Sequence, residues 1–87
     1  MKKILVAEDE SAIREFIVIN LKRSGYDVTE AADGAEAVRL FDEADGDFDV
    51  CLLDIMMPEM DGIEVCKELR KRSSTVGIII LTAKTEE

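Results

Sequence analysis

Val50-Cys51-Leu52-Leu53-Asp54-Ile55-Met56-Met57-Pro58-Glu59-Met60-Asp61-Gly62 begins as an apolar run, stops on a carboxylate and then turns irregular. The run from Val50 to Leu53 has the length and aliphatic content of a strand covered on both faces. The start of the chain repeats the pattern: Ile4-Leu5-Val6-Ala7 runs straight into Glu8-Asp9-Glu10. If the two runs are neighbouring parallel strands, their carboxyl ends lie side by side and three or four carboxylates meet in one crevice. Like charges so placed repel unless a cation lies between them. A hard divalent ion with oxygen ligands is the fitting cation. The pattern therefore predicts a metal-assisted site with one carboxylate, Asp54, free to react.

Working outward, strands and helices alternate. A first strand spans about Lys3 to Ala7. Ser11 suits the N-cap of a helix with Ile13, Phe16, Ile17 and Leu21 at helical spacing, its apolar stripe widened by Val18 and Ile19. Lys22 and Arg23 favour the negative end of that helix, and Gly25 stops it. Asp27 to Ala31 reads as a short second strand. Asp33-Gly34 turns into a helix with Ala37, Leu40, Phe41 and Ala44 on one face, which Asp45-Gly46-Asp47 breaks. The third strand runs from about Phe48 to Leu53. The third helix runs from Ile63 to about Arg72, with Ile63, Cys66 and Leu69 inward, Asp61 as its N-cap or turn residue and Gly62 as a permissive backbone position. After the polar Ser73-Ser74-Thr75, the fourth strand is Gly77 to Thr82. Strand–helix alternation with continuous aliphatic strands implies an α/β fold with an open, doubly wound parallel sheet. In such sheets ligands bind outside the carboxyl ends of the strands, which is where the acidic residues fall.

Composition narrows the function further. Eighty-seven residues suit one small domain, and 20 acidic against 11 basic residues give a formal charge of −9. With a pI near 4.4, direct binding to nucleic acid or an anionic membrane is disfavoured. No apolar run approaches the roughly 20 residues of a membrane span, and Met1-Lys2-Lys3 leads directly into the first strand, so a cytoplasmic location is expected. Cys51 and Cys66 read as small core hydrophobes, with no Cys-x-x-Cys between them. Histidine is absent, which leaves zinc sites and histidine-based acid–base catalysis without support.

Three motifs in order now carry a resemblance. Ile4 to Glu10 resembles the acidic end of the first strand in response-regulator receiver domains. Leu52 to Gly62 resembles their phosphoacceptor strand and loop, and Ile80-Leu81-Thr82-Ala83 their fourth strand. With a matching strand–helix rhythm, the resemblance covers Lys2 to Glu87 and implies a flavodoxin-like fold with strand order 2-1-3-4. It implies that Asp54 accepts a phosphoryl group from a phosphohistidine on a histidine kinase or phosphotransfer protein. It also implies that Asp9 and Asp54 bind Mg²⁺ with the Met56 backbone carbonyl, and that Glu8 holds the ion through water. Thr82 would donate its hydroxyl to a phosphoryl oxygen, with Ala83 leaving room beside it. The residue types suit the chemistry: a carboxylate forms a mixed anhydride directly, and phosphoryl transfer needs mainly positioning and charge neutralisation. Lys84 has two readings, at the mouth of the site or exposed without a role.

Measured against the same family, the chain is expected to be a single receiver domain over residues 1–87 that is incomplete at its C-terminal end. The fifth strand, its lysine, its switch aromatic and the last helices have no counterpart, so slow transfer and impaired signalling are expected. The fourth strand would be an open apolar edge, which predicts a homodimer or larger assembly through Ile78 to Leu81. Two other classes compete with the signalling module. One is a self-associating half-fold without signalling activity. The other is an aspartyl-phosphate phosphohydrolase of haloacid dehalogenase type, which needs a second Asp where this chain has Met56. The balance falls on a non-enzymatic receiver.

Overall fold

The computed structural model describes residues 1–81. The elements alternate as β1 (Lys3–Ala7), α1 (Ser11–Arg23), β2 (Asp27–Ala31), α2 (Gly34–Glu43), β3 (Val50–Asp54), α3 (Gly62–Arg72) and β4 (Gly77–Leu81). All strand pairs are parallel, as the strand–helix rhythm predicts, and the sheet order is β2-β1-β3-β4, as the family resemblance implies. Helices lie on both sides. Leu5, Ala7, Ala31, Cys51 and Leu53 pack with Ala37 and Phe41 of α2 and Val65 and Leu69 of α3 into one core. Phe48 precedes β3 instead of opening it, and its ring stacks on Phe41 with centroids 6.0 Å apart.

The helix starts follow capping chemistry. Asp33 accepts a hydrogen bond from Glu36 N at 2.8 Å, and Asp61 accepts one from Glu64 N at 2.9 Å. The Glu64 carboxylate in turn accepts from Asp61 N at 3.0 Å, closing a capping box. Ser11 is not the cap of α1. It is already helical, and Glu10, in extended conformation, is the N-cap, its carbonyl accepting from Arg14 N at 2.9 Å.

Two helix faces differ from the sequence expectation. In α1 the buried residue is Val18, with Arg14, Ile17 and Leu21 half-buried, while Ile13, Phe16 and Ile19 are exposed. In α3 Val65 and Leu69 are buried, Cys66 packs half-buried against the core as expected, and Ile63 faces out. The cause is coverage. α1 lies across β1 and β2 without reaching β3 or β4, so only a narrow stripe of its apolar residues meets the sheet. For the same reason β3 and β4 are covered on one face only among the described residues, and Ile79 on the outer strand is 51% exposed. Of the fourth-strand motif, Thr82 and Ala83 lie outside the described residues, as does Lys84. No described helix is long and apolar enough to cross a membrane.

Candidate functional site

The central pairing builds the site. β1 and β3 are neighbours in register Ala7 to Leu53, so Glu8 and Asp9 emerge from β1 beside Asp54 at the end of β3. Carboxylate oxygens of Glu8, Asp9 and Asp54 all lie within 4.8 Å of one another. Glu8 is 4% exposed and Asp54 6%, while Asp9 is open to solvent.

Backbone bonds fix the acids in place. Glu8 N donates to Ala31 O at 3.1 Å, which carries the β1–β2 ladder one residue past the strand. Glu10 N donates to Glu8 Oε2 at 3.1 Å, and Met56 N donates to Asp54 Oδ1 at 3.2 Å. Ile55 N donates to Leu81 O at 3.0 Å, anchoring the start of the loop to β4. Arg14 ties the site to α1. Its Nη1 donates to Glu8 O at 2.7 Å and its Nε to Glu30 Oε1 at 3.2 Å. The motif reading gave Arg14 no part; the only sequence signal was a cation on the inward face of an otherwise apolar helix.

Burial dominates the electrostatics. It pushes the Glu8 carboxyl up from 4.5 to about 7, against the Glu10 amide, with the Asp54 and then the Asp9 charge adding to the rise. The two neighbouring carboxylates add a lesser opposition to ionisation of the third. The donor set is all oxygen and suits a hard ion. Its 4.8 Å limit compares with about 4 Å across an octahedral Mg²⁺ shell, so two acids can bind directly and a third through water.

The loop after Asp54 is tightly shaped. Met57 is buried, while Met56, Pro58 and Glu59 are exposed. Met60 N donates to Pro58 O at 2.7 Å, with Glu59 at φ 66° between them, the geometry of a strained γ-turn. Gly62, read from the sequence as a permissive backbone position, is needed for space. A Cβ there would sit 2.6 Å from Asp54 O and 2.9 Å from Ile55 Cα. The structure thus brings together Glu8, Asp9 and Asp54, and places Met56 beside them through its amide.

The model of the response regulator receiver domain matches residues 4–87. The chain belongs to that family. Among curated proteins, this receiver is 50% identical over 86 residues to the alkaline phosphatase synthesis transcriptional regulatory protein PhoP of Bacillus subtilis. It covers 99% of its own length and 35% of PhoP, so it spans about a third of that relative. Among solved structures, response regulator TrrA of Thermotoga maritima in complex with Mg²⁺-BeF matches at TM-score 0.90 and 42% identity, over 98% of this chain and 72% of that one. TrrA in complex with the histidine kinase ThkA matches at TM-score 0.87 and 42% identity, over 99% and 72%. The solved structures share this fold at those scores, and the chain is a receiver domain of two-component response regulators.

Proposed function

We propose that this receiver accepts a phosphoryl group on a carboxylate oxygen of Asp54 from the phosphohistidine of a partner histidine kinase or phosphotransfer protein. The observation that carries this reading is the convergence of Glu8, Asp9 and Asp54 within 4.8 Å at the carboxyl end of β3. The Asp54 oxygen forms the new bond to phosphorus as the phosphorus–nitrogen bond breaks, and the imidazole leaves with the electron pair. Asp9, Asp54 and the Met56 carbonyl would hold Mg²⁺, with Glu8 reaching it through water. When bound, the ion neutralises charge on the transferring oxygens. Thr82 supplies a hydroxyl to a phosphoryl oxygen. The TrrA complexes with Mg²⁺-BeF and with a histidine kinase support the metal and the donor class.

In this reading the chain is a cytoplasmic signalling module, not an enzyme with turnover. It makes no contact with nucleic acid or membrane itself, and any transcriptional output belongs to a longer regulator. The exposed Ile79 on the outer strand supports a second reading, a self-associating building block that does not signal. Acetyl phosphate separates the two. Mg²⁺-dependent gain of one phosphoryl group by mass spectrometry, lost in Asp54→Asn, is the receiver result. Labelling that survives Asp54→Asn overturns the site, and no labelling of the parent favours the building block. Mg²⁺ should also raise the melting temperature, and Asp9→Asn should abolish the rise.

A further inference from the structure

The first residue of α2 touches the site loop from the opposite side to Gly62. A Cβ on Gly34 would collide with Met60 O and would lie 2.7 Å from Val65 Cγ2 and 3.0 Å from Met60 Cβ. Real Cβ atoms do not tolerate such approaches, so the bare Cα of Gly34 sets how closely the loop can lie against α2. Two glycines therefore hold the segment between them: Gly62 against the backbone of Asp54 and Ile55, and Gly34 against Met60.

We infer that Gly34 is a positioning residue for the metal-binding loop, fixing the Met56 and Asp54 backbone through its contact with Met60. This rests on the metal reading given above. The question is which partner yields when a methyl is added. The start of α2 is held by three bonds: Glu36 N to Asp33 Oδ1 at 2.8 Å, Ala32 N to Glu36 Oε1 at 2.7 Å, and Ala37 N to Asp33 O at 3.1 Å. The loop from Met56 to Met60 has one backbone bond wholly within it. Its short bond, Met60 N to Pro58 O, lies inside a turn that already holds Glu59 at φ 66°. Its other ties lie at its ends: Ile55 N to Leu81 O at 3.0 Å, Met56 N to Asp54 Oδ1 at 3.2 Å, the long Gly62 N to Ile55 O contact at 3.3 Å and the Asp61 capping box. The loop is the side that moves. Displacing Met60 lifts Pro58 and Glu59, loosens the seat of buried Met57 and strains the Met56 bond to the Asp54 carboxylate. A change on α2 thereby reaches two metal-ligating positions without touching either.

The test compares Mg²⁺ affinity in the parent, Gly34→Ala and Phe41→Leu by isothermal titration calorimetry, each alongside urea unfolding. Phe41 lies on the same helix about two turns past Gly34, buried beside Phe48 and Gly46, so it controls for lost stability. Supporting residues of a metal site are commonly worth about 10–100-fold in affinity, and Gly34→Ala should lose about tenfold or more while Phe41→Leu stays near the parent. The Mg²⁺-induced shift of the Met56 amide resonance should change with it, a readout that destabilisation alone does not move. If Gly34→Ala does not fold, Gly34→Ala with Val65→Ala, which vacates the side-chain half of the contact, takes its place. A folded variant that binds as the parent does overturns the positioning role alone. Failure of both variants to fold also overturns it, because the contact is then purely structural. A parent that binds no Mg²⁺ overturns the metal reading beneath it.

Discussion

Glu8 should make Mg²⁺ binding depend on pH, and the size of the dependence follows from its surroundings. Its carboxyl is pushed up from 4.5 to about 7, first by burial and then by the neighbouring charges. A ligand that must lose its proton weakens apparent affinity by the factor 1 + 10^(7 − pH), which is about elevenfold at pH 6 and about 1.1-fold at pH 8. The apo protein should respond in the opposite sense. A carboxyl whose folded value lies above its unfolded value favours the fold fully below about 4.5, and that contribution is lost as pH rises through about 7. The full displacement corresponds to roughly 3 kcal/mol as an upper bound. Glu8→Gln mimics the neutral acid, so without metal it should match the parent near pH 4 and exceed it in melting temperature by pH 8. The assay is Mg²⁺ titration calorimetry at pH 6, 7 and 8 on parent and Glu8→Gln, with thermal unfolding in chelator. The parent should show the steep rise in affinity and the variant a flat profile. An affinity in the parent that changes less than about twofold from pH 6 to 8 would refute the reasoning, since proton competition at Glu8 then plays no part.

Other perturbations follow from packing and capping. Gly62→Ala places a methyl 2.6 Å from Asp54 O, and overpacking of this kind costs about 1–3 kcal/mol; urea unfolding should register the loss. Asp61→Ala removes the capping box of α3, with about 1 kcal/mol lost and helix amides 62–64 exchanging faster by hydrogen exchange. Ile79→Lys charges the exposed residue of the outer strand. If that strand is the self-association surface, light scattering should show a parent assembly that dissociates in the variant, and a monomeric parent at micromolar concentration removes the idea.

The ends of the strands were legible because they depend on topology more than on side-chain detail. Once Ile4–Ala7 and Val50–Leu53 are parallel neighbours, the acids that follow them must meet, whatever the helices do. The element order was legible from the same strand–helix rhythm, whereas the sheet order came from the family resemblance and not from the pattern. Helix faces were harder to read. α1 has more apolar residues than its contact with β1 and β2 can cover, so periodicity alone could not choose Val18 over Phe16, which is 69% exposed. In α3, Ile63 and Val65 are both aliphatic and only two residues apart, about 200° around a helix. The inward choice falls to Val65 because it packs with Leu69, one turn further on, in the same core.

Close approach leaves no trace in hydrophobic pattern at all. Gly34 and Gly62 look like ordinary turn and cap residues in the sequence, and both have φ outside the left-handed region. Their requirement is space, which is set by backbone from elsewhere in the fold: Met60 for Gly34, Asp54 and Ile55 for Gly62. Arg14 is a similar case. A charge on an inward helix face suggests a conflict in the sequence, yet the donor it carries is matched to a carbonyl, Glu8 O, left free where β1 ends. The same strand end that delivers carboxylates to the site also delivers an unpaired acceptor, and the nearest helix supplies the cation to bond it. Binding the backbone carbonyl instead of the Glu8 carboxylate leaves that acid available to a metal ion. In the proposed metal reading, that choice of acceptor is what separates a supporting arginine from a competing one.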